Sequence, residues 1–493
     1  MIEIVKRAKF FSDRTAIISN QTQYSYDQLL RKSHSLASSL LNNKIDLLED
    51  RVAFLVPSSF EYVVTQWGIW RAGGIGVPLC TLHPLPSLRY VIENSEASII
   101  IVSKEYKKLL EPLAKEVRIK LLVVDNLLES SIADLPTISS DRRAMILYTS
   151  GTTNLPKGVV TTHHNIQSQI ECLVNAWDWK SKDQILNILP LHHIHGIINV
   201  LSCALWSGAC CEFLPKFDSK EVWEKLTNGQ LSLFMAVPTI YFKLIDFWES
   251  SSEKDKTKFS AGIKNLRLMV SGSAALPVPI LDRWREITSH TLLERYGMTE
   301  VGMALSNSYK NERRPGHVGL PLPGVKIRLI DSNGKRVDDK GEPGEIQIKG
   351  PSVFKEYWKK SKETIDSHQD GWFKSGDVAI FKNGMYKILG RDSIDIIKSG
   401  GYKVSALEIE DVLLRHPKIK ECAVVGISDD EWGEIVAAGI ILKDKNIDLG
   451  SLKDWAKELL PAYKIPRKII ILKQLPRNTL GKVTKKSLKN SFD

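Results

Sequence analysis

Two hydrophobic periods alternate along residues 1–390. The segment YSYDQLLRKSHSLASSLL spaces its apolar residues three and four apart, as a helix with one buried face requires, whereas RVAFLV is a short, nearly continuous apolar run of the strand type. SFEYVVTQWGIWRAG and SLRYVIENS repeat the helical period, and GIGVPL and ASIIIVS repeat the strand pattern. Such alternation predicts βαβ units, because parallel strands can be joined only by a crossover and a helix supplies it. The texture changes at GMYKILGRDSIDIIKSGGYKV, residues 384–404, where Gly, Lys and Asp cluster between structured stretches. The segment that follows, ALEIEDVLLRHPKIKECAVVGISDDEWGEIVAAGIIL, reads as helix, strand, turn, strand. The expected fold class is therefore α/β: a large N-terminal domain with mainly parallel sheets flanked by helices, residues 1–390, and a small, mobile α+β C-terminal domain, residues 391–493.

A chain of 493 residues is long enough for two or three domains, and its 43% hydrophobic and 25% charged content is that of a globular protein. The run from Gln184 to Cys211 carries no Asp, Glu, Lys or Arg, yet it contains Pro190 and three histidines, so it reads as buried wall and not as a membrane span. The six cysteines have no CxxC spacing, which argues against a zinc site or a disulfide framework and fits a reducing compartment. The first twenty residues show no apolar signal region. The location expected is cytoplasmic, or the mitochondrial matrix if a transit peptide has been removed.

The net charge of +11 raises the question of nucleic acid, but its distribution answers it. From Lys464 to Asp493 nine Lys or Arg face one acid, leaving a balance of only +3 for the preceding 463 residues. A basic tail of this kind is a solvated helix face or an attractor for a small polyanion. No nucleic-acid-binding motif accompanies it.

Chemistry first appears in MILYTSGTTNLPKGVV, residues 145–160. An apolar strand runs into Thr149, Ser150, Gly151, Thr152 and Thr153, and Lys157 follows. Consecutive small residues let backbone N–H groups and hydroxyls converge on an anion, and the lysine adds a full charge. This is a phosphate cradle of a kind distinct from GxxxxGK[ST], since Gly158 follows the lysine and no hydroxyl stands ready for magnesium.

Six further motifs follow in order: LPLHHIHG at 189–196, SGSAAL at 271–276, YGMTE at 296–300, GWFKSGD at 371–377, GRDSIDIIKSGGYKVS at 390–405 and PRNTLGK at 476–482. With YTSGTTNLPKG they make the whole chain resemble the acyl-adenylate-forming enzymes: acyl-CoA synthetases, peptide-synthetase adenylation domains and beetle luciferases. The resemblance implies that a carboxylate is joined to the α-phosphate of ATP, with Mg2+ on the phosphates, and that the acyl group then passes to coenzyme A. It implies that Glu300 holds the metal and Thr299 donates to the α-phosphate. Gly272, Ser273, Ala274, Tyr296, Gly297 and Met298 would line the adenine side of the ATP site, with Tyr296 stacked on the base. Asp377 and Arg391 would meet the ribose. Lys482 resembles the family's catalytic lysine, bridging the attacking carboxylate and the α-phosphate, where it offsets charge as two anions approach. Ser399, Gly400, Gly401 and Lys403 would serve coenzyme A, so the small domain would have to turn about residues 391–395 between half-reactions.

Arg295 is the residue that bears on the substrate. It directly precedes Tyr296 in a stretch that reads as a buried strand, and a buried guanidinium needs an anionic partner. The partner is either a fixed acid such as Glu294 or the far carboxylate of a small dicarboxylate. Adjacent strand residues point to opposite faces, which weakens Glu294. His192, His193 and His195 lie on the expected acyl wall; His193 is the favoured second donor, with a packed core residue or a metal ligand as the other readings. Together with RRPGHVGLPLPGVKIRLID, these segments resemble most the malonyl-CoA synthetase branch, which implies malonate as substrate and methylmalonate as a poorer one. Ligases for other short, medium-chain or aryl acids, a luciferase-like oxygenase and a non-catalytic nucleotide binder are the rivals. Glu300, Asp377, Arg391 and Lys482 speak against the last.

Overall fold

The structure, a computed structural model, describes residues 2–129, 133–149, 155–214, 216–337, 341–400, 402–443, 447–478 and 481–492. The alternating segments form the elements expected: helices Tyr26–Leu41, Phe60–Arg71 and Leu85–Asn94, and strands Arg51–Leu55, Ile75–Pro78 and Ile99–Val102. Phe60–Arg71 is apolar all round and buried along its length, because it is covered by a sheet on one side and by Tyr26–Leu41 on the other.

Two large sheets share this βαβ construction. In one, seven strands run in the order Glu356–Tyr357, Lys157–Thr162, Arg143–Thr149, Ile75–Pro78, Arg51–Leu55, Ile99–Val102 and Lys120–Val123. Its last five strands are parallel, and Lys157–Thr162 folds back antiparallel on Arg143–Thr149 with Lys157 opposite Thr149. The second has nine strands, with Gln184–Asn187, Leu233–Ala236, Leu268–Ser271 and Leu293–Met298 lying side by side in parallel. The charge-free run provides the wall predicted for it: Gln184–Asn187, a π-helix His195–Ser202 and the helix Cys203–Ser207 are almost wholly buried. Among the described residues no helix is long and apolar enough to cross a membrane.

The alternation stops earlier than the sequence pattern suggests. Beyond Leu320 the chain makes a third sheet of antiparallel strands, Lys326–Ile330, Gly344–Lys349, His368–Gln369, Trp372–Lys382 and Met385–Arg391. Gly and Asn turns at Asn333–Gly334 and Asn383–Gly384, with Asn383, Gly334 and Gly384 at positive φ, close its hairpins without a helix. A four-residue turn, 392–395, then leads into Ile396–Ser399 and a five-stranded sheet built with Tyr402–Ser405, Ile419–Asp429, Gly433–Leu442 and Lys468–Ile471. The helices Ala406–Leu413 and Leu449–Lys457 cover that sheet and share one core with it.

Candidate active site

The parallel strand Leu293–Met298 carries the centre of the site. Arg295 is 4% exposed and Glu294 6% exposed, so both charges are taken from water. They point to opposite faces: Glu294 Oε1 accepts the Gly316 N–H at 2.9 Å, and burial raises its pKa well above the usual carboxylate range. Arg295 lies in a different network. Its Nη2 donates to Ser273 Oγ at 3.3 Å, and Ser273 Oγ lies 3.1 Å from His195 Nδ1. Among the described residues no acid pairs with Arg295, and burial alone draws its pKa down to about 9.

Local backbone geometry makes this arrangement possible. Gly272 directly follows the neighbouring strand Leu268–Ser271, and a Cβ there would stand 2.5 Å from Arg295 Cζ and 2.6 Å from its Nε. The guanidinium therefore packs against a bare Cα. Ser273 follows at φ +69, a left-handed conformation that a serine rarely adopts and that turns its hydroxyl toward Arg295 and His195. Arg295 donates to the hydroxyl, and His195 Nδ1 shares a second hydrogen bond with it, whose direction is set by the imidazole tautomer. Two buried nitrogens of this network, Arg295 Nε and His195 Nε2, have no hydrogen-bond partner among the described residues.

His193 is not part of this chain. Its ring lies 4.1 Å from that of His192, and burial, His83 and Lys482 lower its pKa to about 4. The histidine joined to Arg295 through Ser273 is His195, which the sequence did not single out. The three histidines are too similar in spacing for pattern alone to choose among them; His192 and His193 lie in the turn before the π-helix that begins at His195.

At the other end of the site charges are paired. Asp377 lies opposite Arg391 across the hairpin Trp372–Lys382 and Met385–Arg391, with Arg391 Nε 3.3 Å from Oδ1. The Tyr296 hydroxyl donates to Asp377 Oδ2 at 2.6 Å. Burial nevertheless raises the pKa of Asp377, with Arg391 pulling it back. Glu300, 7% exposed, accepts the Tyr357 hydroxyl at 2.9 Å and forms no ion pair among the described residues; burial raises its pKa. A buried carboxylate with one neutral donor suits a divalent cation, so these residues fit Mg2+. Lys157 Nζ stands 5.3 Å from the centre of the Tyr357 ring, on the same side of the site. Thr149 ends the strand opposite Lys157, whereas Ser150, Gly151, Thr152 and Thr153 lie outside the described residues. Tyr296, Gly297, Met298 and Thr299 are half-buried, and Ser273 and Ala274 are exposed along the mouth.

Lys482 enters this site from the small domain. Its loop is a tight hairpin in which the Lys482 N–H donates to Asn478 Oδ1 at 3.0 Å, and a Cβ on the neighbouring Gly481 would touch Thr239 of the large domain at 3.4 Å. The crowded surroundings lower the Lys482 pKa, Asp377 and Asp395 hold it up, and Arg391 and Arg295 oppose it. One ammonium thus feels both the ribose end and the acyl end. The set expected for coenzyme A is placed differently. Ser399 is buried, Gly400 donates its N–H to the Trp432 carbonyl at 2.9 Å, Lys403 is exposed opposite Lys398, and Gly401 lies outside the described residues. The bonds these residues make are to their own domain.

Comparison with known proteins shows the family. The AMP-binding enzyme family model matches residues 4–358, and the AMP-binding enzyme C-terminal domain model matches residues 408–482. The mitochondrial malonate–CoA ligase ACSF3 of Xenopus laevis is 44% identical, across 99% of this chain and 91% of that protein. ATP-bound MatB from Rhodopseudomonas palustris superposes with a TM-score of 0.92 at 31% identity, covering 100% of this chain and 99% of MatB. Apo MatB, with the same coverage, gives 0.83. With family models matching both segments and a relative 44% identical over nearly the whole chain, the chain belongs to the AMP-binding enzyme family.

Proposed function

We propose that this protein is a malonate–CoA ligase. Malonate attacks the α-phosphate of ATP, pyrophosphate leaves, and the malonyl group passes from AMP to the thiol of coenzyme A. The observation that carries the reading is Arg295: a guanidinium buried without an acid among the described residues, sharing a network with His195 and directly preceding Tyr296, beside which the acyl group would lie. A carboxylate two carbons from the reacting one would accept from Arg295 Nε, and from His195 Nε2 when that nitrogen carries the proton, and an acid lacking it would leave Arg295 unpaired. The names of the similar ligases support the same substrate.

The remaining residues divide the work. Lys482 would offset charge between the attacking carboxylate and the α-phosphate, Thr299 would donate to that phosphate, and Glu300 would hold Mg2+, which neutralises the phosphates. Asp377 and Arg391 would fix the ribose, and Ser399, Gly400, Gly401 and Lys403 would receive coenzyme A. In the arrangement described, Lys482 faces the site and the coenzyme A set does not. Domains 1–390 and 391–493 would therefore alternate between two orientations, turning about 392–395, with the present one serving adenylation. The greater likeness to ATP-bound than to apo MatB supports that assignment. The mitochondrion is the location we favour, since the similar animal ligases are named mitochondrial.

The test is a thioester assay with ATP, Mg2+ and coenzyme A across linear C2 to C6 mono- and dicarboxylates. Malonate is expected to lead, methylmalonate to follow, and acetate and propionate to be poor. Equal rates with malonate and propionate would reject the proposal.

A further inference from the structure

The helix Val278–Thr288 of the large domain begins without a cap of its own. Its N-cap residue, Pro277, has no side chain able to accept a hydrogen bond. Among its first backbone donors, Pro279 has no N–H, and those of Ile280 and Leu281 reach the Pro277 carbonyl at 3.0 and 3.2 Å. Only the Val278 N–H still needs an acceptor. It finds one in the other domain: Asp411 Oδ1, on the small-domain helix Ala406–Leu413, accepts it at 3.3 Å. The carboxylate also sits at the positive end of the helix macrodipole. Asp411 itself is half-buried, and Arg415, one turn further along the same segment, lines the cleft between the domains with Pro279, Asp282 and Glu286. A second interdomain contact, Lys420 with Asp246 at 3.2 Å, is 36% and 60% exposed and contributes little.

Resting on the two-orientation reading above, we infer that Asp411 is a positioning residue: as a helix cap supplied in trans by the small domain, it biases the protein toward the orientation in which Lys482 faces the reacting groups. The cap exists only while the small domain is seated as here. A rotation that brought the coenzyme A residues to the site would carry Asp411 away and hand the Val278 N–H to water. Asp411 touches no substrate, and its effect is on which orientation is populated.

The two half-reactions read this equilibrium directly. Adenylation is followed by malonate-dependent exchange of pyrophosphate into ATP, and thioester formation by transfer from supplied malonyl adenylate to coenzyme A. If each requires a different orientation, the ratio of their rates tracks the equilibrium whichever state dominates. Losing a cap of this kind should lower the ratio of adenylation to thioester formation about 3- to 10-fold in Asp411→Ala. Asp411→Asn, which keeps an acceptor and loses the charge, should fall between the two and carries the test if the alanine variant does not fold. An unchanged ratio, or equal loss of both rates, overturns the inference. Lys482→Ala run alongside separates this from the reading beneath it: it should lose exchange and keep transfer, and equal loss of both would reject the two orientations themselves.

Discussion

Asp377 meets Arg391 at 3.3 Å and the Tyr296 hydroxyl at 2.6 Å, whereas Arg295, one residue before Tyr296, has among the described residues only a hydroxyl at 3.3 Å. On the proposed function the difference follows what each end would receive. Ribose is neutral, so the protein can pair its own charges there and let sugar hydroxyls take the remaining lone pairs. A second carboxylate would bring its own charge, so the guanidinium facing it would be left open, at a cost in stability of the free protein that the bound anion would offset. Selectivity would then reside in an unmet hydrogen-bonding demand.

Removing that demand should have the largest effect. Arg295→Ala should lower kcat/KM for malonate by at least about 10³-fold while leaving propionate little changed, because the variant no longer rewards the distal charge. Asp377→Asn should slow both acids alike, and if it changed the malonate-to-propionate ratio as much as Arg295→Ala does, the contrast between the two ends would be void. Differential scanning calorimetry should find Arg295→Met no less stable than the parent, since a buried unpaired cation is replaced by an apolar chain of similar length.

A smaller effect is expected one strand away. Gly272→Ala places a methyl where the guanidinium lies, and the flexible end of Arg295 must move; malonate-to-propionate selectivity should fall roughly 10- to 100-fold with the fold retained. Selectivity equal to the parent would mean that the fork does not need its bare-backbone seat.

The smallest effect is in pH. Burial brings the Arg295 pKa from 12.5 to about 9, so below that the guanidinium is charged and above it is increasingly neutral. The ratio of kcat/KM for malonate to that for propionate should therefore be flat below about pH 9 and decline above it, by roughly fourfold within half a unit. Stability moves the other way. A folded pKa below the unfolded value means that burying the cation destabilises the fold at neutral pH, and this penalty shrinks as pH rises through about 9. A selectivity ratio constant to pH 10 would show that the Arg295 guanidinium stays charged across that range.

Much of this was legible in the chain itself. Period alone located the helices Tyr26–Leu41 and Phe60–Arg71 and the strands between them, because amphipathic spacing is a local property. It was less informative beyond Leu320, where half-buried antiparallel strands closed by Gly and Asn turns carry a weaker signal than a buried parallel strand. The motifs named Arg295, Asp377, Glu300 and Lys482 as residues that converge, although they lie up to 187 positions apart. That His195 is the histidine bonded to Ser273 had no signal in the pattern, and neither had Asp411, since its partner is a backbone N–H 133 residues away.

By itself, then, the sequence determined the family's motifs and placed one arginine, beside Glu294, in a stretch that reads as a buried strand. Only the tertiary structure decided that Glu294 turns away to Gly316, that Gly272 leaves room for the guanidinium and that Ser273 joins it to His195. The reason is physical: a charge is identified by its own covalent formula, but whether it is paired depends on distances between segments that meet only when the sheets have closed.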